Sequence, residues 1–140
     1  MSQKENAFGA EKIIWDLSDL FTSLTDPEIK TVMTASLKKA TDFEKKYKTK
    51  VDMLSAKQLK SAYSELEELL VPLYKLSQYS SLRYSIETQN EDIKQLVGKL
   101  DDLESEISNK LLFFDLELGD LSKNAIADFK SSDELKNYYY

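Results

Sequence analysis

From Ile93 onward the apolar residues Ile93, Leu96, Leu100, Leu103, Ile107, Leu111, Phe114 and Leu118 follow one another at steps of three or four. That spacing keeps side chains on one stripe of an α-helix and rules out a strand, whose faces alternate every second residue. A repeat so close to 3.5 also suits packing along neighbouring helices at a shallow angle. Only three Gly and two Pro interrupt the 140 residues, so turns are few and elements long. No alternating Val, Ile or Thr segment is long enough to make a sheet. The expected fold is therefore all-α, an antiparallel bundle or array of four to five helices.

The remaining segments are read by the same rules. Residues 1–12 are expected to form a loose tail, followed by the short apolar run Ile13, Ile14, Trp15, Leu17, Leu20 and Phe21, where Trp15 is expected to anchor the strand or turn to the body of the fold. Asp26-Pro27 predicts a helix start, because Asp caps free amides and Pro at the first helical position loses no hydrogen bond. Ile29, Val32, Met33, Leu37, Ala40, Phe43 and Tyr47 continue on one stripe, and the helix should end near Thr49. Ser55 and Gln58 have capping-box spacing ahead of Leu59, Ala62, Tyr63, Leu66, Leu69, Leu70 and Leu73. Pro72 falls inside this run, which predicts a kink or break between Glu68 and Pro72 and a new stretch carrying Leu73, Leu76, Tyr79, Leu82 and Ile86. A turn is expected at Glu87 to Glu91, with Asn90 capping the long periodic helix and Gly119 stopping it. A last helix is expected to start after Ser131 or Ser132 and to run through Leu135 until it is cut at Tyr138, Tyr139 and Tyr140. The helical domain thus spans 13–140.

Composition removes whole classes of chemistry. The chain contains neither His nor Cys. Structural zinc sites need these residues, catalytic zinc sites nearly always include His, and imidazole is the side chain that titrates near neutrality. No catalytic residue, metal ligand or cofactor is assigned, and the substrate-binding residues are left unknown. Residues 1–100 hold 15 acidic and 15 basic side chains and residues 101–140 hold 10 and 4, so the net charge of −6 resides in the last forty. Such a surface is a poor partner for nucleic acid. No window is apolar enough to cross a bilayer and the first residues lack a signal core, so a cytoplasmic location is expected, without membrane partners.

Candidate motifs have bland counterparts. Glu67 with Glu68, Glu91 with Asp92, Asp101 with Asp102, and Glu104 with Glu106 are paired carboxylates that could divide acid and base roles, but adjacent helical residues diverge by about 100° and a solvated face is the expected reading. Lys38, Lys39, Lys45, Lys46, Lys48 and Lys50 are broken by Asp42 and Glu44 and read as a solvated helix face, with Arg83 the sole arginine of the chain. Tyr47, Tyr63 and Tyr79 lie on stripes and are expected to fill core. Gly9, Gly98 and Gly119 are isolated and form no phosphate loop. The run from Asn109 to Leu118 has more apolar residues than one stripe needs, which fits either a buried central helix or one that also meets a second domain.

Taken in order, Trp15-Asp16-Leu17-Ser18-Asp19-Leu20-Phe21, Asp26-Pro27, the helix with Phe43, the stretch from Leu66 to Tyr79-Ser80-Ser81-Leu82, Leu111-Leu112-Phe113-Phe114 and Leu116-Glu117-Leu118 resemble the start of M3-family zinc metallopeptidases of the oligoendopeptidase F type. The resemblance runs from Trp15 to Tyr140. Glu87-Thr88-Gln89-Asn90-Glu91 departs from the family's more usual Asp-Thr with a following Asp, so no role is carried to it. The resemblance implies a helical N-terminal domain that walls a deep channel and admits only unfolded oligopeptides. It also implies zinc in a separate C-terminal catalytic domain, held by a His-Glu-x-x-His helix that this chain does not contain. On that reading the chain is truncated before the catalytic domain and is inactive as a peptidase alone. The alternative is a free-standing helical interaction module whose Ile93 to Leu118 stripe pairs with a partner helix or with itself.

Overall fold

In the computed structural model, residues 16–135 are described, and the first helix begins where the local chemistry demands it. Pro27 takes the first helical position, and the Asp26 carboxylate accepts the Glu28 N–H at 2.9 Å and the Thr22 N–H at 2.9 Å. Helix α1 runs Pro27–Tyr47 and turns Ile29, Val32, Ser36, Ala40, Phe43 and Tyr47 inward. Met33 and Leu37 of the expected stripe flank the core, half-buried. Thr49 then adopts a left-handed backbone with φ of 65°, and a short 3-10 turn, Val51–Met53, buries Val51.

Helix α2, Ala56–Ile86, starts with the expected capping box: Ser55 accepts the Gln58 N–H, and the Gln58 side chain accepts the Ser55 N–H. Asn90 accepts the amides of Asp92 and Ile93, which starts helix α3, Glu91–Gly119. The chain between these helices is the predicted turn. Ser122 accepts the Ala125 N–H and starts helix α4, Lys123–Ser131. Four α-helices and no strand are present among the described residues.

Contacts along the helices give the topology. Lys46 and Tyr47 reach Glu65 whereas the earlier Lys39 reaches the later Glu68, so α1 and α2 are antiparallel. Glu44 stands 3.9 Å from Lys110 and Thr49 binds Glu117, so α3 returns alongside α1 in the same direction. The result is an up-down-up bundle of three long helices, with α4 packed at the end where α1 and α3 finish. Its interior divides into two clusters. One joins Phe21, Ile29, Val32, Leu69, Leu73, Leu76, Tyr79, Leu100, Leu103 and Ile107. The other joins Phe43, Tyr47, Val51, Leu59, Phe113, Phe114, Phe129 and Leu135.

Several expectations are corrected. α2 does not break between Glu68 and Pro72; it is one 31-residue helix, and the carbonyl that Pro72 leaves without a helical donor accepts from Lys39 of α1. The last helix lies earlier than expected: Ser122 is its cap, Ile126 and Phe129 its apolar side, and it ends at Ser131, where a start was expected. Ile86 of the α2 stripe is exposed, since α2 outruns the helices that cover it. Gly119 does close α3, as its last helical residue. Leu17, Leu20 and Phe21 pack on the core. The tail 1–12, Ile13, Ile14, Trp15 and the tyrosines Tyr138 to Tyr140 lie outside the described residues.

Candidate functional site

The carboxylate pairs stay apart from one another. Glu67, Glu68, Glu91, Asp92, Asp101, Asp102 and Glu106 are exposed, and Glu104 is half-buried with one carboxylate oxygen enclosed and unbonded. Among the described residues no group of three or more His, Cys, Asp or Glu could hold a metal ion. The lysine cluster is an ion-paired face: Lys38 binds Asp42 at 2.6 Å, Lys48 binds Glu44 at 2.7 Å, and Lys46 binds Glu65 across the α1–α2 contact. The Lys48 hydrogen bond holds the Glu44 carboxyl below its ordinary range, and the Glu65 hydrogen bond raises Lys46. These charges are satisfied within the fold.

The tyrosines divide. Tyr47 is buried and donates its hydroxyl to Glu65 at 2.8 Å, and burial raises its pKa. Tyr63 is half-buried, its ring edge-on to Phe114 with centroids 5.7 Å apart. Tyr79 is buried with its ring against Phe21, and its hydroxyl is enclosed without a hydrogen-bond partner; burial raises this phenol too. One turn on, the Arg83 Nε is likewise enclosed and unbonded, while its Nη2 binds Glu87 at 2.7 Å. A phenol pushed upward and left without a base is a core residue with a solvation cost, not an acid-base group.

Glu117 performs a role that sequence reading missed. Its Oε1 accepts the Thr49 N–H at 2.7 Å and its Oε2 accepts the Val51 N–H at 3.2 Å. The positive φ of Thr49 turns these amides toward one carboxylate, which makes the α1–α2 connector a small anion nest filled by a side chain of α3. The apolar run containing Glu117 advertised the helix but gave no sign of a partner 68 residues earlier.

The same run accounts for the outer surface. Phe113 and Phe114 point inward, whereas Leu112 and Leu116 are 53% and 59% exposed. A fully buried central helix within this chain is therefore not what forms. Val71 and Tyr74 on α2 are also exposed. A small apolar pocket of about 150 Å³ lies between α2, α3 and α4, lined by Leu59, Tyr63, Leu118, Ile126 and Phe129. A wider groove separates the starts of α1 and α3, where Asp26, Lys30, Asp92 and Lys99 rim Ile29 and Leu96. By contrast, Ile93, Leu100, Leu103 and Ile107 of the long stripe are buried in the chain's own core, so that face is already occupied. No helix among the described residues is long and apolar enough to cross a membrane. No protein-family model, curated protein or solved structure matches this chain.

Proposed function

We propose that this chain is a non-catalytic helical domain that narrows access to a zinc centre held elsewhere in an oligoendopeptidase F-type peptidase, so that only extended oligopeptides reach it, in the cytoplasm. The ordered motifs from Trp15 to Leu118 support this reading, and an all-α bundle is the architecture they imply. The observation that carries it is the outward pair Leu112 and Leu116, one turn apart on the part of α3 that contains the Phe113-Phe114 and Leu116-Glu117-Leu118 motifs. Leucines at i and i+4 form a continuous ridge, and an exposed apolar ridge supports a surface that meets a neighbouring domain. In this reading the helices supply shape and the bound zinc and its activated water belong to the neighbouring domain.

The test compares the chain with the protein encoded when its reading frame is followed further. The chain alone should cleave no fluorogenic oligopeptide with or without added zinc, and the longer protein should cleave it in a chelator-sensitive way. Cleavage by the pure chain, or a longer protein without peptidase activity, would overturn the proposal.

A further inference from the structure

We propose that Lys39 is a latch across a proline gap in α2, which makes the middle of that helix a hinge whose closure depends on α1. Pro72 lies in the interior of a 31-residue helix. Proline has no N–H, so the carbonyl four residues earlier, that of Glu68, loses its helical donor, and the ring crowds the same carbonyl. Here the Glu68 carbonyl accepts from the Lys39 Nζ at 3.3 Å, and the same ammonium stands 3.7 Å from the Glu68 carboxylate. The donor that α2 cannot supply comes from another helix, 29 residues away in sequence.

The position of this gap gives it consequence. Before Pro72, Leu59 and Ala62 belong to the aromatic cluster; from Leu69 onward, α2 belongs to the cluster of Leu73, Leu76 and Tyr79. The hinge therefore sits beside the boundary between two cores, where bending would alter the angle between them. Ala40, the next residue of α1, is fully buried in the core that also holds Leu69 and Leu73 of α2. The Lys39 side chain is 49% exposed, so an acylating enzyme or reagent can reach the ammonium; acylation removes its charge, and with it the ion pair to the Glu68 carboxylate, and leaves a single neutral N–H for the carbonyl. This device is a property of the fold and stands whether or not the chain belongs to a peptidase.

The experiment is a double-mutant cycle on the full chain, with Lys39→Met and Pro72→Ala singly and together, read by hydrogen exchange of the amides in 69–76. Lys39→Met keeps the aliphatic stem and removes the donor. It should speed exchange in that segment by about three- to tenfold, a modest effect because the contact is partly solvated. In the Pro72→Ala background the same change should have no further effect, since the backbone N–H that this substitution restores takes the Glu68 carbonyl. Glu68→Gln, which removes the carboxylate and keeps the carbonyl, should leave the Lys39→Met effect in place. An effect of equal size with and without Pro72, an effect abolished by Glu68→Gln, or no effect at all would overturn the proposal.

Discussion

At the end of the bundle where α1 and α3 begin, Leu69, Leu73, Leu76, Leu100, Leu103 and Ile107 fill the interior and residues 17–24 cover it; at the end where they finish, Phe43, Tyr47, Phe113, Phe114 and Phe129 do so under α4. The first end is assembled mainly from residues three or four apart on long helices, with Phe21 entering from the segment before α1 to meet the Tyr79 ring at 5.2 Å. The second end depends on large rings that meet at angles, Phe43 with Phe114 at 73° and Phe113 with Phe114 at 77°, and on pieces that no stripe announces. Val51 enters it from a 3-10 turn and Leu135 from the turn after α4. Aliphatic packing tolerates small shifts, whereas edge-to-face rings fix a geometry. The aromatic end thus draws more of its core from the connectors and from angled rings, and the other end more from aliphatic helix stripes.

The largest test of that contrast truncates one residue at each end. Phe114→Ala should cost about 3–5 kcal/mol and Leu76→Ala about 2–5 kcal/mol in denaturant unfolding. Amide exchange should separate them: Phe114→Ala is expected to release α4 and the Val51–Met53 turn, while Leu76→Ala leaves both protected. Equal loosening of α4 in the two variants would erase the distinction. Glu117→Ala removes the acceptor of two backbone amides and should cost about 1–3 kcal/mol, with the connector 48–54 losing exchange protection first. Rescue by Glu117→Gln should be partial, since one amide oxygen replaces two carboxylate oxygens.

A smaller effect belongs to the other end and to acid. Hydrogen bonds from the Thr22 N–H, and then from the Glu28 N–H and the Thr22 hydroxyl, hold the Asp26 carboxyl below its ordinary 3.8. A depressed folded pKa means that the contribution is fully present above that ordinary value and disappears as pH falls through the lowered one. Amides at the start of α1 should therefore exchange faster at strongly acid pH relative to those of α4, and Asp26→Asn should remove this acid sensitivity. A protein whose α1 start is indifferent to Asp26→Asn under these conditions would show that the cap contributes nothing there. The smallest effect is expected at the outer ridge. Leu112→Ser with Leu116→Ser should change stability by less than about 0.5 kcal/mol each, because neither side chain is buried in this chain. A larger loss would mean that the ridge already has a cover.

Legibility follows the same division. The capping residues Asp26, Ser55 and Asn90 were readable, since a cap and the amide it binds lie within three residues. Tyr47 and Tyr79 were readable as core from their place on a stripe. Ser122 was not recognised as a cap, because the nine-residue helix after it offers only Ile126 and Phe129 as a pattern. Leu112 and Leu116 were visible as surplus apolar residues, though nothing in their spacing said which of the neighbours would face out. The candidate surface is therefore half legible: its composition comes from the run itself, its orientation from packing.

By itself the sequence determined the all-helical class, the starts of the three long helices and most inward stripes, because helix periodicity and capping act over four residues or fewer. Tertiary structure alone decided that α2 continues through Pro72, that Glu117 ties the α1–α2 connector to α3, and that α4 closes the aromatic end. In the first two of these a group that cannot be satisfied locally is paired with one from a distant part of the chain, and in the third a short apolar face finds its cover only against the other helices; partners of that kind exist only after the chain has folded.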